Sequence, residues 1–218
     1  LSPLVIDRLI EGIIDTLLMI GASSLITLGI GLPLALLLVA TSKGGILEQP
    51  VVNSSVGSVV NVVRSVPFLI LMVALIPFTR LVVGTSYGVL GAVVPLTVAS
   101  VPFFARIAEV SLREVDRGLI EAAESMGCGR WHIVWHVLLP EARPGIVAGF
   151  TITLVSMINA SAVAGAIGAG GLGDLAYRYG YQRFDTQVMV TVIVLLVILV
   201  ATIQFGGDRL AFALNKRK

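Results

Sequence analysis

The chain has 218 residues, 56% of them hydrophobic and 13% charged, with 23 glycines and a formal net charge of +2; soluble domains carry about 25% charged residues. A chain of this size buries only about 70% of its surface and must cover the rest with polar groups, so a soluble globular domain is excluded, and disorder with it. A single cysteine, Cys128, cannot close a disulfide within the chain, and no basic stripe supports nucleic-acid binding.

What remains is a polytopic membrane protein, with a mean hydropathy of +0.99. The first span is expected over 13–40. Asp7, Glu11 and Asp15 precede or enter it, and the run is long. Both features mark a retained span, since a secretory signal carries positive charge and a short apolar core there. Gly29, Gly31 and Pro33 lie inside it, as membrane helices tolerate. The second span is expected over 56–78, with Asn61 and Arg64 near its start, and the third over 87–108, interrupted by Pro95 and Pro102. A polar stretch follows from Glu109 to Arg143. The fourth span is expected over 145–167 and the fifth over 186–205. Every span is apolar all round rather than alternating, which predicts helices and not barrel strands. The fold class is therefore an all-α integral membrane protein. It has five transmembrane helices, a short helix between spans three and four, and a single domain over 1–218 without internal repeat.

Five spans place the termini on opposite sides. Of the fifteen Lys and Arg residues, Arg8, Arg80, Arg178 and Arg183 fall on one side and the other eleven on the opposite side. The positive-inside rule then puts the N-terminus outside and the C-terminus and the long polar stretch in the cytoplasm.

Within that stretch Arg117–Met126 reads as a short helix. Asp116 can cap its first turn and Gly127 can take the left-handed conformation that ends it. Leu119, Ala122, Ala123 and Met126 fall on one side at helical spacing. Such a helix suits a groove on a soluble partner, or the membrane surface.

The sequence Glu121-Ala122-Ala123, followed by Gly127 and Leu139-Pro140, resembles the EAA loop of importer permeases in the ABC transporter superfamily. Arg64-Ser65-Val66-Pro67-Phe68, Pro95-Leu96-Thr97, Gly168-Ala169-Gly170-Gly171-Leu172-Gly173 and Tyr179-Gly180-Tyr181 are similar to the methionine-import branch. The resemblance covers essentially the whole chain. Asp116 stands where many relatives have a proline at the start of this coupling helix. The resemblance implies a permease that pairs with a second copy of itself, two cytoplasmic ATP-binding subunits, and an extracytoplasmic substrate-binding protein or lipoprotein. Leu119, Glu121, Ala122, Ala123, Met126 and Gly127 would couple to the ATPase. No cofactor is expected in this chain, ATP and magnesium belonging to the partner, and no catalytic or metal-binding residue. The alternatives are a permease for another amino acid or small solute, and a non-transport membrane scaffold docking a soluble partner.

Two further motifs have simpler readings. Gly168–Gly173 matches G-x-G-x-x-G but follows a membrane helix rather than a strand, so a tight, mobile turn at an outer mouth is expected instead of a dinucleotide site. His132 and His136 are four apart, yet Ile133 replaces the glutamate of a zinc protease, and Trp131 and Trp135 beside them suggest an interfacial helix. On span four, Gly149, Ser156, Asn159 and Val163 share a face that suits close helix packing or a water-filled path. Ser156, Asn159 and Val163 are the candidate pathway residues.

Overall fold

The computed structural model describes residues 3–215, and among them ten α-helices, three π-helical turns and no strand. Lys216, Arg217 and Lys218, three of the eleven basic residues assigned to one side, lie outside the described residues. The all-α membrane class holds, because among the described residues four helices are long and apolar enough to cross a bilayer, or five when one bent helix pair is counted as a span.

Helix α1 (Pro3–Ala40) is one rod of 38 residues, longer than the expected 13–40. At about 1.5 Å per residue it reaches ~57 Å, well beyond the ~30 Å hydrocarbon layer. Its buried stripe Met19, Ser23, Thr27, Gly31, Ala35 and Leu38 follows helical spacing and is mostly small. Small residues let two backbones approach closely in lipid. Here the neighbour is α5 (Gly88–Arg113), and a Cβ on Gly31 would stand 2.8 Å from Phe104 Cδ1. Helix α5 also packs on α8 (Leu139–Ala164), where Phe104 and Phe150 meet edge to face at 5.3 Å. The last long helix, α10 (Thr186–Leu214), lies along α8 so tightly that a Cβ on Gly207 would collide with Thr151. Its other faces expose Val190, Ile193, Val197 and Phe205, a surface made for lipid.

The second expected span is not one rod. It consists of α2 (Pro50–Ser65) and α3 (Phe68–Ala74), bent by 103° at Val66–Pro67. Val66 is extended and Pro67 has no N–H to donate, so the helical ladder stops there. A short α4 (Ile76–Val83) follows and ends at Gly84, whose φ is +77°.

The polar stretch 109–143 is also more helical than expected. Helix α5 runs on to Arg113, α6 covers Arg117–Ser125, and α7 (Arg130–Ile133) passes through a π-helical turn (Val134–Leu138) into α8. After a second π-helical turn (Gly165–Ala169), α9 (Gly171–Leu175) and a third π-helical turn (Ala176–Gln182) lead to α10.

The bundle has two distinct ends. At one, the start of α1 packs through Leu9 on Leu172, Leu175 and Val188. At the other, Ala35 of α1 joins Leu112, Val115 and Leu138 beneath α6. Leu214 and Asn215 lie at that second end beside Glu114 and Pro140. The described ends of the chain are thus on opposite ends of the bundle.

Candidate functional site

Helix α6 is defined at both ends by its own sequence. Asp116 Oδ1 accepts from the Gly118 N–H at 2.8 Å, satisfying an orphan donor of the first turn. At the other end the Gly127 N–H donates to the Glu124 carbonyl at 2.9 Å and the Cys128 N–H to the Ala123 carbonyl at 3.0 Å. With Gly127 at φ +77°, these two bonds form a Schellman cap.

The faces of α6 differ from the expected arrangement at one residue. Leu119, Glu121, Ala122 and Met126 are exposed, Met126 to 76%. Ala123 is buried to 3% and turns toward its own chain, beside Ile120, which packs on Leu112, Val115 and Leu138. Ala123 therefore packs against its own chain, whereas Leu119, Glu121, Ala122 and Met126 do not. Beneath α6 lies a cavity of about 350 Å³ with an apolar floor (Leu36, Val39, Leu112) and a charged rim (Lys43, Arg117, Glu124). On the neighbouring turn Trp131 and Trp135 are 74% and 60% exposed, and the His132 and His136 rings stack at 4.0 Å.

On α8, Ser156, Asn159 and Val163 are exposed and continue a stripe that begins at Ile152. Thr153, Met157, Ile158, Ser161 and Ala164 fill the covered faces. Gly149, which helical spacing puts on the same face, is buried, and a Cβ there would collide with Ile107 of α5, as close helix packing requires. The two helices touch at that level, which is why only the later turns of α8 are bare.

The glycine motif 168–173 is tight but not a loose turn. Gly168, Gly170 and Gly171 have φ of +103°, +85° and +77°, and Gly171, Leu172 and Gly173 are buried. Thr16 Oγ1 accepts from the Leu172 N–H at 3.0 Å while donating to the Gly12 carbonyl at 2.8 Å. A Cβ on Gly173 would collide with the Ala162 backbone. The motif thus folds the chain back against α1, its second half buried there.

Hydropathy reading missed one cluster. Ending the third span at Ala108 placed Glu109 in a polar stretch, but Glu109 is 4% exposed on an unbroken helix. Its Oε2 accepts from Arg106 Nη1 at 2.7 Å, and its Oε1 from Arg113 Nε and Nη2 at 3.0 and 2.8 Å. Arg106 Nη2 also reaches α2, at Gly57 O (3.3 Å) and Asn61 Oδ1 (3.1 Å). The legible signal was the spacing of these charges, three and four residues apart on one helical face.

Residues 31–218 match the family of binding-protein-dependent transport system inner membrane components. The chain is 47% identical over 211 residues to the probable D-methionine transport system permease protein MetI of Vibrio cholerae, covering 97% of this chain and 94% of that one. It is 46% identical over 181 residues to the methionine import system permease protein MetP of Bacillus subtilis, covering 83% and 82%. The fold superposes on an inward-facing conformation of the MetNI methionine ABC transporter with a TM-score of 0.97 and 48% identity, over 99% of this chain and 100% of that one.

Proposed function

The chain belongs to the binding-protein-dependent transport system inner membrane components, and from that premise we propose that it is the permease subunit of an ATP-driven importer for methionine or its close analogues. What supports the substrate is the near-full-length similarity to relatives named for methionine transport, at close to half identity. The chain itself performs no covalent chemistry in this scheme. ATP and magnesium are held by two cytoplasmic partner subunits, and an extracytoplasmic binding protein or lipoprotein delivers the solute. The N-terminus is outside and the C-terminus cytoplasmic, as the distribution of Lys and Arg implies.

Mechanism follows from placement. Helix α6 is the mechanical link: its exposed Leu119, Glu121, Ala122 and Met126 enter the partner ATPase, and Gly127 fixes the end of the lever. The cavity beneath it leaves α6 space to shift against α1 and α5. Closure of the ATPase dimer moves α6, and the spans rock between inward- and outward-open states. Five crossings are too few to surround an amino acid, so the path lies between two copies of the chain. The bare stripe of α8 carrying Ser156, Asn159 and Val163 faces that path.

The test is uptake of labelled amino acids into vesicles that contain the permease with its copurified ATPase and binding protein. Concentrative, ATP-dependent uptake of methionine is expected. Uptake of another solute without methionine would overturn the substrate assignment.

A further inference from the structure

The basic pocket between α2 and α5 plays no part in that transport scheme. Because α2 stops at Ser65 and the chain swings away at Val66–Pro67, the cleft beside α5 stays open. It is lined by Arg64, Arg106, Ile107, Glu109, Val110 and Arg113 and measures about 310 Å³. Both oxygens of Glu109 are taken, by Arg106 and Arg113. Arg64 has no such partner: its guanidinium rests 5.9 Å from the Phe103 ring, and its donors meet no acceptor within the described chain. Three guanidinium groups thus share the pocket with one carboxylate.

A guanidinium cannot shed its proton, and an uncompensated charge beside hydrocarbon is costly. The arrangement calls for an anion. A guanidinium fork matches phosphate oxygens in a bidentate manner, which favours phosphate. Depth and wall chemistry narrow the source. Glu109 lies one turn, about 6 Å, inside the end of α5, where the helix passes from its apolar run into the charged stretch. Ile107 and the 57%-exposed Val110 form an apolar wall beside the charges. Basic pockets between membrane helices on the cytoplasmic side are suited to acidic lipid headgroups. We propose that this pocket holds the phosphate of an anionic phospholipid from the cytoplasmic leaflet, with Arg64 as its principal ligand and the acyl chain along Ile107 and Val110. A lipid so placed ties α2 to α5 next to the bend in span two.

Native mass spectrometry of the permease with its partner ATPase tests this, after incubation with phosphatidylglycerol, phosphatidylcholine or inorganic phosphate. Retention of phosphatidylglycerol should exceed that of phosphatidylcholine by about tenfold, and Arg64→Gln should lower it by about the same factor. Arg209→Gln, which removes a charge from α10 at the same end of the bundle, should leave it unchanged. Arg64→Lys, which keeps the charge, should retain part of the preference, and it stands in for Arg64→Gln if that variant does not assemble. Equal retention of the two lipids, or unaltered retention in Arg64→Gln, would overturn the proposal. So would displacement of the lipid by millimolar inorganic phosphate, which marks a plain ion site. Lipid counting is indifferent to which solute is carried, so failure of the methionine reading leaves this result standing.

Discussion

A β-branched side chain at Gly127 would have to adopt the φ of +77° that closes α6. That costs roughly 1–2 kcal/mol, or unwinds the last turn and frees the Ala123 and Glu124 carbonyls. Nothing lies within 4 Å of the position a Cβ would take, so the penalty is conformational rather than steric. Gly127→Val is expected to insert normally but to lose uptake, with the partner ATPase either dissociating on purification or hydrolysing ATP without response to the binding protein. Normal uptake together with normal copurification would show that α6 is not the lever. The adjacent alanines separate two effects. Ala122→Trp projects from the exposed face and should block assembly while the thermal midpoint of the permease stays unchanged. Ala123→Trp forces a large ring into a site 3% exposed and should lower that midpoint before any question of docking arises. Sequence spacing grouped Ala122 with Ala123 because both fall within one broad arc of a short helix. Only the position of Ile120 against Leu112 and Val115 decides which of the two turns inward.

At the scale of elements, the long helices were legible wherever apolar residues ran uninterrupted, as in α1, α5, α8 and α10. The break in span two was not. A hydropathy window averages over Val66 and Pro67 because both flanks are apolar, while the 103° bend arises from two backbone torsions and a missing donor. The ion cluster on α5 escaped for a related reason: a charged triplet reads as the end of a span, yet mutual pairing lets it continue the helix. Its worth is measurable. Glu109→Gln leaves Arg106 and Arg113 without their counter-charge. Since both arginines are partly exposed, at 26% and 47% of their side chains, solvent softens the loss. A destabilisation of about 1–3 kcal/mol is expected, seen as a lower thermal midpoint in detergent. An unchanged midpoint would mean that the cluster contributes nothing to holding α2 on α5.

For the whole molecule, composition alone fixed the class, and the odd number of crossings agrees with the placement of the described chain ends on opposite ends of the bundle. A reporter fused to the C-terminus is expected in the cytoplasm and one inserted within 176–183 outside; both on one side would contradict five crossings. The bare stripe on α8 was half legible. Helical spacing joined Gly149 to Ser156, Asn159 and Val163, but which turns stay uncovered depends on where α5 crosses α8, a tertiary fact that no local pattern contains. The glycine motif shows the same limit. Its positive φ values follow from glycine's freedom, whereas its burial against Thr16 comes from a residue more than 150 positions away.

The two tryptophans of the chain, Trp131 and Trp135, are both exposed within eight residues of the Gly127 cap, and the chain has no other indole to mask them. The protein thereby holds a built-in optical probe at its lever. Exposed indoles emit to the red and are open to collisional quenching by iodide. Covering this surface with the ATPase should shift emission to the blue and shield both rings. Emission followed during ATP binding and hydrolysis would then time the lever's movement in unlabelled protein. A spectrum identical with and without the ATPase would mean that the contact ends short of Trp131.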